Sequence, residues 1–207
     1  MNCPICNHAL GHAMTCPLVL RGVVILGLGH RAGVGKDTIA SHLCAKYGFR
    51  QLAFADPLRA AASEVFGINV GMMLDPLTKN KVDEFWGLSP RQVLQKMGTD
   101  AMRGTFGEDV WLKALAARLL RYLTVPGTPN RYVITDVRFP NEAAMVKRMN
   151  GAVWRIDRPG ISDQPTEGLH ASETAMLDYK DWDLVIKNDS TEAALFNGVD
   201  SMARLLK

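Results

Sequence analysis

The residues best suited to chemistry form one glycine-rich run, Gly27-Leu-Gly-His-Arg-Ala-Gly-Val-Gly-Lys36-Asp37-Thr38. A run of this kind makes a phosphate cradle. Its glycines let successive backbone N–H groups turn inward, the helix that follows presents the positive end of its dipole, and the lysine neutralises phosphate oxygens. Phosphate binding is therefore assigned to Gly33, Val34, Gly35, Lys36, Asp37 and Thr38. The run departs twice from the pattern G-x-x-x-x-G-K-[ST]. His30 stands at the first glycine position, with Gly29 one residue earlier, and Asp37 replaces the hydroxyl residue after the lysine. Thr38 follows at once and offers a hydroxyl to the phosphates or to Mg²⁺. Asp136 ends the apolar run Tyr132–Thr135, where a carboxylate could hold Mg²⁺ or its waters beside the loop.

Such residues must be carried by a strand before the loop, a helix after it, and a second strand ending in the acid. The patterning supplies all three. Val23–Leu26 reads as a buried parallel strand, and Asp37–Tyr47 carries apolar residues at helical spacing until Gly48 stops it. Further strands are predicted at Leu52–Phe54, Tyr132–Thr135, Ala152–Ile156 and Leu184–Ile186. Helices are predicted at Pro57–Phe66, at Pro90 to about Met97, and at Asp109–Leu123, Asn141–Met149 and Thr191–Leu206. Ser89-Pro90-Arg91-Gln92 has the makings of a capping box with proline at the first helical position. The alternation predicts a three-layer α/β/α domain with a parallel sheet over residues 21–207. Residues 158–172 are rich in Gly, Pro and Ser and lack periodicity, as a functional lid would.

Residues 1–20 are of another kind. Cys3, Cys6, His12 and Cys16 offer three thiolates and an imidazole at a span that suits tetrahedral zinc, with His8 as a competing ligand and a leader with incidental cysteines as the plainer reading. Zinc would explain how so short a segment, a small knuckle-like appendage, folds without a core.

Composition narrows the classes. The 207 residues are 47% hydrophobic and 22% charged, with a formal net charge of +3. That suits one well-buried domain and gives little support to a nucleic-acid-binding face, which needs clustered cations. No apolar run approaches the roughly 18 residues of a membrane span. There is no secretory-type start, and the cysteines fit reduced thiols, so the expected compartment is the cytoplasm.

Several segments, taken in order, carry a resemblance. They are Gly35-Lys-Asp-Thr38, Phe54-Ala-Asp-Pro-Leu58, Arg91-Gln-Val-Leu-Gln-Lys-Met-Gly-Thr-Asp100, Asp109-Val-Trp111, Asp136-Val-Arg-Phe-Pro-Asn-Glu142 and His170-Ala-Ser-Glu173. Together they resemble the deoxynucleoside monophosphate kinases of tailed bacteriophages, from about Val23 to the C-terminus. The resemblance implies a P-loop kinase fold with a helical acceptor region near residues 56–110 and the 158–172 lid. It also implies ATP, Mg²⁺ and a deoxynucleoside monophosphate as the small-molecule partners. Phosphoryl transfer between polyanions needs cations around both phosphates. Arg91 and Arg103 then fall to the acceptor, while Arg138 and Arg158 join Lys36 around the moving group. Asp56 would orient the acceptor or bond its sugar, although Asp-Pro is also a good helix start. Asn188 would touch adenine. Trp86 and Phe106 read more simply as core than as base-stacking residues. Dephospho-coenzyme A kinase shares the expected architecture and stands as the alternative enzyme. An ATP-switched protein that binds a partner or nucleic acid through the knuckle is the alternative of another class. The sequence admits a homodimer.

Overall fold

The computed structural model describes residues 22–161 and 170–206. Cys3, Cys6, His12 and Cys16, with the whole 1–20 appendage, lie outside the described residues, as do residues 162–169 of the predicted lid. The chain divides into two compact units, one of Phe54–Leu115 and one built from the segments on either side of it.

In the flanking unit the described residues build a five-stranded parallel sheet in the order β2-β3-β1-β4-β5. The strands are β1 (Val24–Gly29), β2 (Arg50–Leu52), β3 (Arg131–Val137), β4 (Ala152–Asp157) and β5 (Leu184–Lys187). β1 is buried along its whole length, which is why it reads as a continuous apolar run and not as an alternation. Its two faces meet different helices. Val24, Leu26 and Leu28 pack with Ile39 and Leu43 of α1 (Lys36–Tyr47) and with Leu195 and Val199 near the C-terminus. On the other face, Val146 lies close against Gly27. Each leucine or isoleucine buried this way contributes roughly 1.5–3 kcal/mol. A polar clamp completes the first layer: Asp200 accepts from His42, Lys46 and Tyr47 of α1, and the Lys46 bond foremost holds its carboxyl far below the usual carboxylate range.

The predicted strand at Leu52–Phe54 is displaced. The ladder partner of β3 is Arg50–Leu52, while Ala53 and Phe54 are buried beyond the ladder as the chain turns toward α2 (Asp56–Phe66). β2 is an edge strand, so polar residues suit it, and Arg50 stacks on the Tyr122 ring at 3.8 Å.

The Phe54–Leu115 unit is helical. It contains α2, α3 (Val70–Leu74) and α4 (Pro90–Gln95), with a small core of Ala62, Ile68, Met73 and Val93. The expected capping box forms: Ser89 N donates to Gln92 Oε1 at 2.9 Å, and Gln92 N donates to Ser89 Oγ at 3.3 Å. Beyond α4 the backbone widens into a π-helix over Lys96–Arg103, where a plain α-helix to about Met97 was predicted. Its Gly98 is held by tertiary contacts. A Cβ on Gly98 would lie 2.6 Å from Leu58, and the Gly98 carbonyl accepts from Trp111 Nε1 at 2.9 Å. Phe106 is 65% exposed and Trp86 39%, so neither is the core residue expected of it; Trp86 Nε1 instead donates to the Phe66 carbonyl.

Candidate active site

β1 ends at Gly29 and α1 begins at Lys36, so residues 30–35 form a loop at the C-terminal edge of the sheet. β1 lies between β3 and β4; the connection that leaves β1 runs to β2 at one edge of the sheet, and the one that leaves its neighbour β4 runs to β5 at the other. Open parallel sheets bind ligands in the crevice such a reversal creates. The loop is shaped by close approaches that exclude side chains. At Gly29 a Cβ would meet the Trp182 ring at 2.6 Å. Gly35 has φ 103°, and a Cβ there would lie 2.6 Å from Asn188 Nδ2. Asn188, just past β5, donates that Nδ2 to the Val34 carbonyl at 2.9 Å. Asn188, of which adenine contact is expected, thus lies against the loop backbone. Gly35→Ala should force both the left-handed φ and the Asn188 contact, at a cost of about 1–3 kcal/mol. The measurement is urea unfolding, with a lowered midpoint and an unchanged slope expected; a wild-type midpoint would mean that the loop reshapes freely.

Lys36 turns back into the loop. It is only 9% exposed, and its Nζ donates to the His30 carbonyl at 3.2 Å and to the Arg31 carbonyl. Burial, and after it the Arg138 guanidinium, lowers its pKa to about 8, against the opposing pull of Asp37 and Asp136. A desolvated ammonium among backbone oxygens is a strong partner for phosphate, because its charge is little screened. Asp136 is buried at the end of β3, where the sequence predicted it. The side chain of Gln51 reaches both Asp37 Oδ1 (3.3 Å) and Thr135 Oγ1 (3.4 Å), linking the first turn of α1 to β3. Thr38 is exposed in that same turn.

Arg138 follows in a turn fixed by Glu142. The Glu142 carboxylate is buried and accepts from Arg138 N at 2.7 Å and Phe139 N at 3.1 Å, satisfying the two amides just ahead of α5 (Pro140–Arg148). Sequence reasoning gave Glu142 no role, although a glutamate three residues after Phe139, with Pro140 between them, carries the helix-start signal. Arg31 was missed as well: its Nη1 donates to the Glu173 carbonyl at 3.2 Å, which brings the His170–Glu173 segment to the loop.

A cleft of about 400 Å³ opens beside the loop, lined among others by His30, Val34, Asp157, Arg158, Ile161 and Asp189. Its volume suits a small-molecule ligand. Arg158 Nη1 donates to the Gly33 carbonyl at 3.3 Å, so the first residue of the predicted lid touches the loop. One unit therefore gathers Gly33–Thr38, Asp136, Arg138, Arg158 and Asn188. The helical unit holds the rest. There Asp56 accepts from Arg59 at 3.0 Å, Arg103 is 4% exposed and bonded to Glu108 at 3.1 Å, and Arg91 is half-buried in the first turn of α4. Among the described residues, no three His, Cys, Asp or Glu side chains are grouped where they could hold a metal ion. None of the described helices is long and apolar enough to cross a membrane.

Comparison with known proteins adds the following. A family model described as deoxynucleotide monophosphate kinase matches residues 75–199. A protein of Acanthamoeba polyphaga mimivirus, provisionally named a deoxynucleotide monophosphate kinase, is 32% identical over 189 residues, covering 86% of this chain and 95% of that one. The deoxynucleotide monophosphate kinase of Enterobacteria phage T4 is 30% identical over 128 residues, covering 61% of this chain and 49% of its own length. Among solved structures, TT1252 from Thermus thermophilus superimposes at a TM-score of 0.45 with 20% identity, covering 89% of this chain and 98% of its own. A dephospho-CoA kinase from Campylobacter jejuni does so at 0.43 with 14% identity, covering 87% and 96%.

Proposed function

The chain belongs to the deoxynucleotide monophosphate kinase family, and on that premise we propose that it transfers the γ-phosphoryl group of ATP to a deoxynucleoside 5′-monophosphate, giving the diphosphate and ADP. The observation that carries the reading is the buried Lys36 ammonium inside the glycine loop, with Asp136 and Arg138 near enough to alter its charge.

The loop amides and Lys36 hold the β- and γ-phosphates, and the 400 Å³ cleft beside them takes the nucleoside of ATP. Asp136, with the hydroxyl of Thr38, fits Mg²⁺: both are hard oxygen donors next to the phosphate loop, and Mg²⁺ commonly takes only one or two carboxylates beside substrate phosphates and water. When bound, Mg²⁺ neutralises charge on the phosphate oxygens. Arg138 and Arg158 counter the charge that spreads over the equatorial oxygens during in-line transfer. The acceptor is assigned to the helical unit, where Arg91 and Arg103 provide forked donors for its phosphate and Asp56 a carboxylate to orient it. No general base is needed, because a 5′-phosphate is already anionic near neutral pH. Arg158, at the start of the 158–172 segment predicted as a lid, already meets the loop at the Gly33 carbonyl, which suits a role in shielding the transfer from water. The enzyme acts in the cytoplasm. Zinc at Cys3, Cys6, His12 and Cys16 is supported by their spacing alone.

The test is an ADP-release assay with Mg-ATP against dTMP, dGMP, dCMP, dAMP, the four ribonucleotides and dephospho-coenzyme A. Turnover with one or more deoxynucleotides is expected. Turnover with dephospho-coenzyme A alone, or silence from folded protein, would overturn the assignment.

A further inference from the structure

His30 stands where a phosphate loop of this pattern ordinarily has a glycine, and its backbone takes the conformation that favours one, with φ 91°. A histidine persists in that region only where its surroundings fix it. Here they do so from both ends of the residue. Its carbonyl accepts from the Lys36 ammonium at 3.2 Å. Its side chain is 3% exposed, with Nδ1 3.3 Å from the Ile156 carbonyl and 3.5 Å from Asp157 Oδ1, both at the end of β4. Two oxygens around one ring nitrogen require that Nδ1 carry the proton and donate. Arg155 Nε lies 2.5 Å from the same Asp157 oxygen and keeps that carboxylate in place. The imidazole also forms a wall of the 400 Å³ cleft and of a smaller cavity lined by Arg31, Arg138 and Glu173. His30 therefore borders both spaces, and its main chain braces the lysine.

From this geometry we infer that His30 is a positioning residue for ATP. Its Nδ1–H···O=C bond ties the left-handed start of the loop to β4, and so fixes the Lys36 ammonium and the inner wall of the nucleotide cleft before the phosphates arrive. The inference rests on the ATP assignment of that cleft. A glycine at position 30 would satisfy the backbone better and still lose the tie, so folding and nucleotide binding are separable here. That separation distinguishes a positioning role from a merely structural one.

The experiment measures ATP binding by titration calorimetry, with thermal unfolding alongside, for the full chain and for its His30→Gly and His30→Asn variants. Asparagine tolerates the left-handed region and keeps a donor at about the same reach. The glycine variant is expected to bind ATP about tenfold more weakly, equivalent to about 1.4 kcal/mol, while melting within a few degrees of the parent. The asparagine variant should recover most of the affinity. Parental affinity in the glycine variant would overturn the inference. So would an asparagine variant that melts like the parent but binds as weakly as the glycine one. If the glycine variant does not fold, the asparagine variant decides alone: affinity within about threefold of the parent supports the tie, and a tenfold loss at unchanged melting temperature overturns it. A parent chain that binds no ATP would sink the cleft assignment and the inference together, an outcome distinct from an ATP-binding parent with an indifferent glycine variant.

Discussion

Lys36→Met is expected to lower kcat by about 10³-fold in a protein that still folds, the loss typical of removing one preorganised donor to developing charge. Methionine keeps much of the unbranched length of the side chain and removes only the ammonium. Two backbone carbonyls, of His30 and Arg31, lose a donor, and a buried cation that repels Arg138 is removed with it. These effects oppose each other, so stability should move little while phosphoryl transfer collapses. The depressed pKa of about 8 adds a second signature in the parent enzyme. Below pH 8 Lys36 is charged and able to hold phosphate; above it the free enzyme loses the proton. The kcat/KM for ATP, which reports free-enzyme ionisations, should therefore fall on the alkaline side near pH 8, well before an ordinary lysine would titrate. A folded methionine variant retaining a tenth or more of parental turnover would refute the role of Lys36.

Asp136→Asn should be nearly as severe, with kcat lowered by about 10²-fold or more. The substitution removes the buried carboxylate offered to Mg²⁺, so more Mg²⁺ should be needed to reach half-maximal rate. It also removes a charge that raises the Lys36 pKa. The lysine must then titrate lower, and the alkaline limb of kcat/KM must move to lower pH. A purely structural Asp136 would predict a lower melting temperature with an unchanged demand for Mg²⁺. Turnover within tenfold of the parent, with the limb in place, would show that Asp136 serves neither metal nor lysine.

How much of this was readable beforehand depended on how local the cause is. The strand, loop and helix from Val24 to Tyr47 were legible because hydrophobic run, glycines and lysine sit side by side in sequence. The Ser89–Gln92 box was legible for the same reason. Apolar content misled at Phe54, which is buried without belonging to the ladder, and at Phe106, which is apolar without being buried. The π-helix showed no local signal; what the structure adds is that its Gly98 meets Leu58 and Trp111, both outside the segment. In the site, residue types pointed to a glycine loop, a lysine and an acid, and the fold places them around the ends of the neighbouring strands β1 and β3. They could not reveal which side chains hold the cradle in shape, because Gln51, Glu142 and Asn188 each act through one or two bonds that only the folded chain brings together.

The bond from Asn188 to Val34 joins positions 154 residues apart. The Trp182 ring that closes on Gly29 comes from the same late stretch of chain. The loop sequence thus emerges well before the parts that set its curvature. Long-range closure of this kind is slow, and domains fold as units. A nascent chain halted before Trp182 would already display the glycines and Lys36 without the cradle's final form. Competence for nucleotide would come only once Trp182 and Asn188 have docked on the loop, so that ATP engages molecules with a finished loop in preference to partial ones and, by mass action, stabilises them.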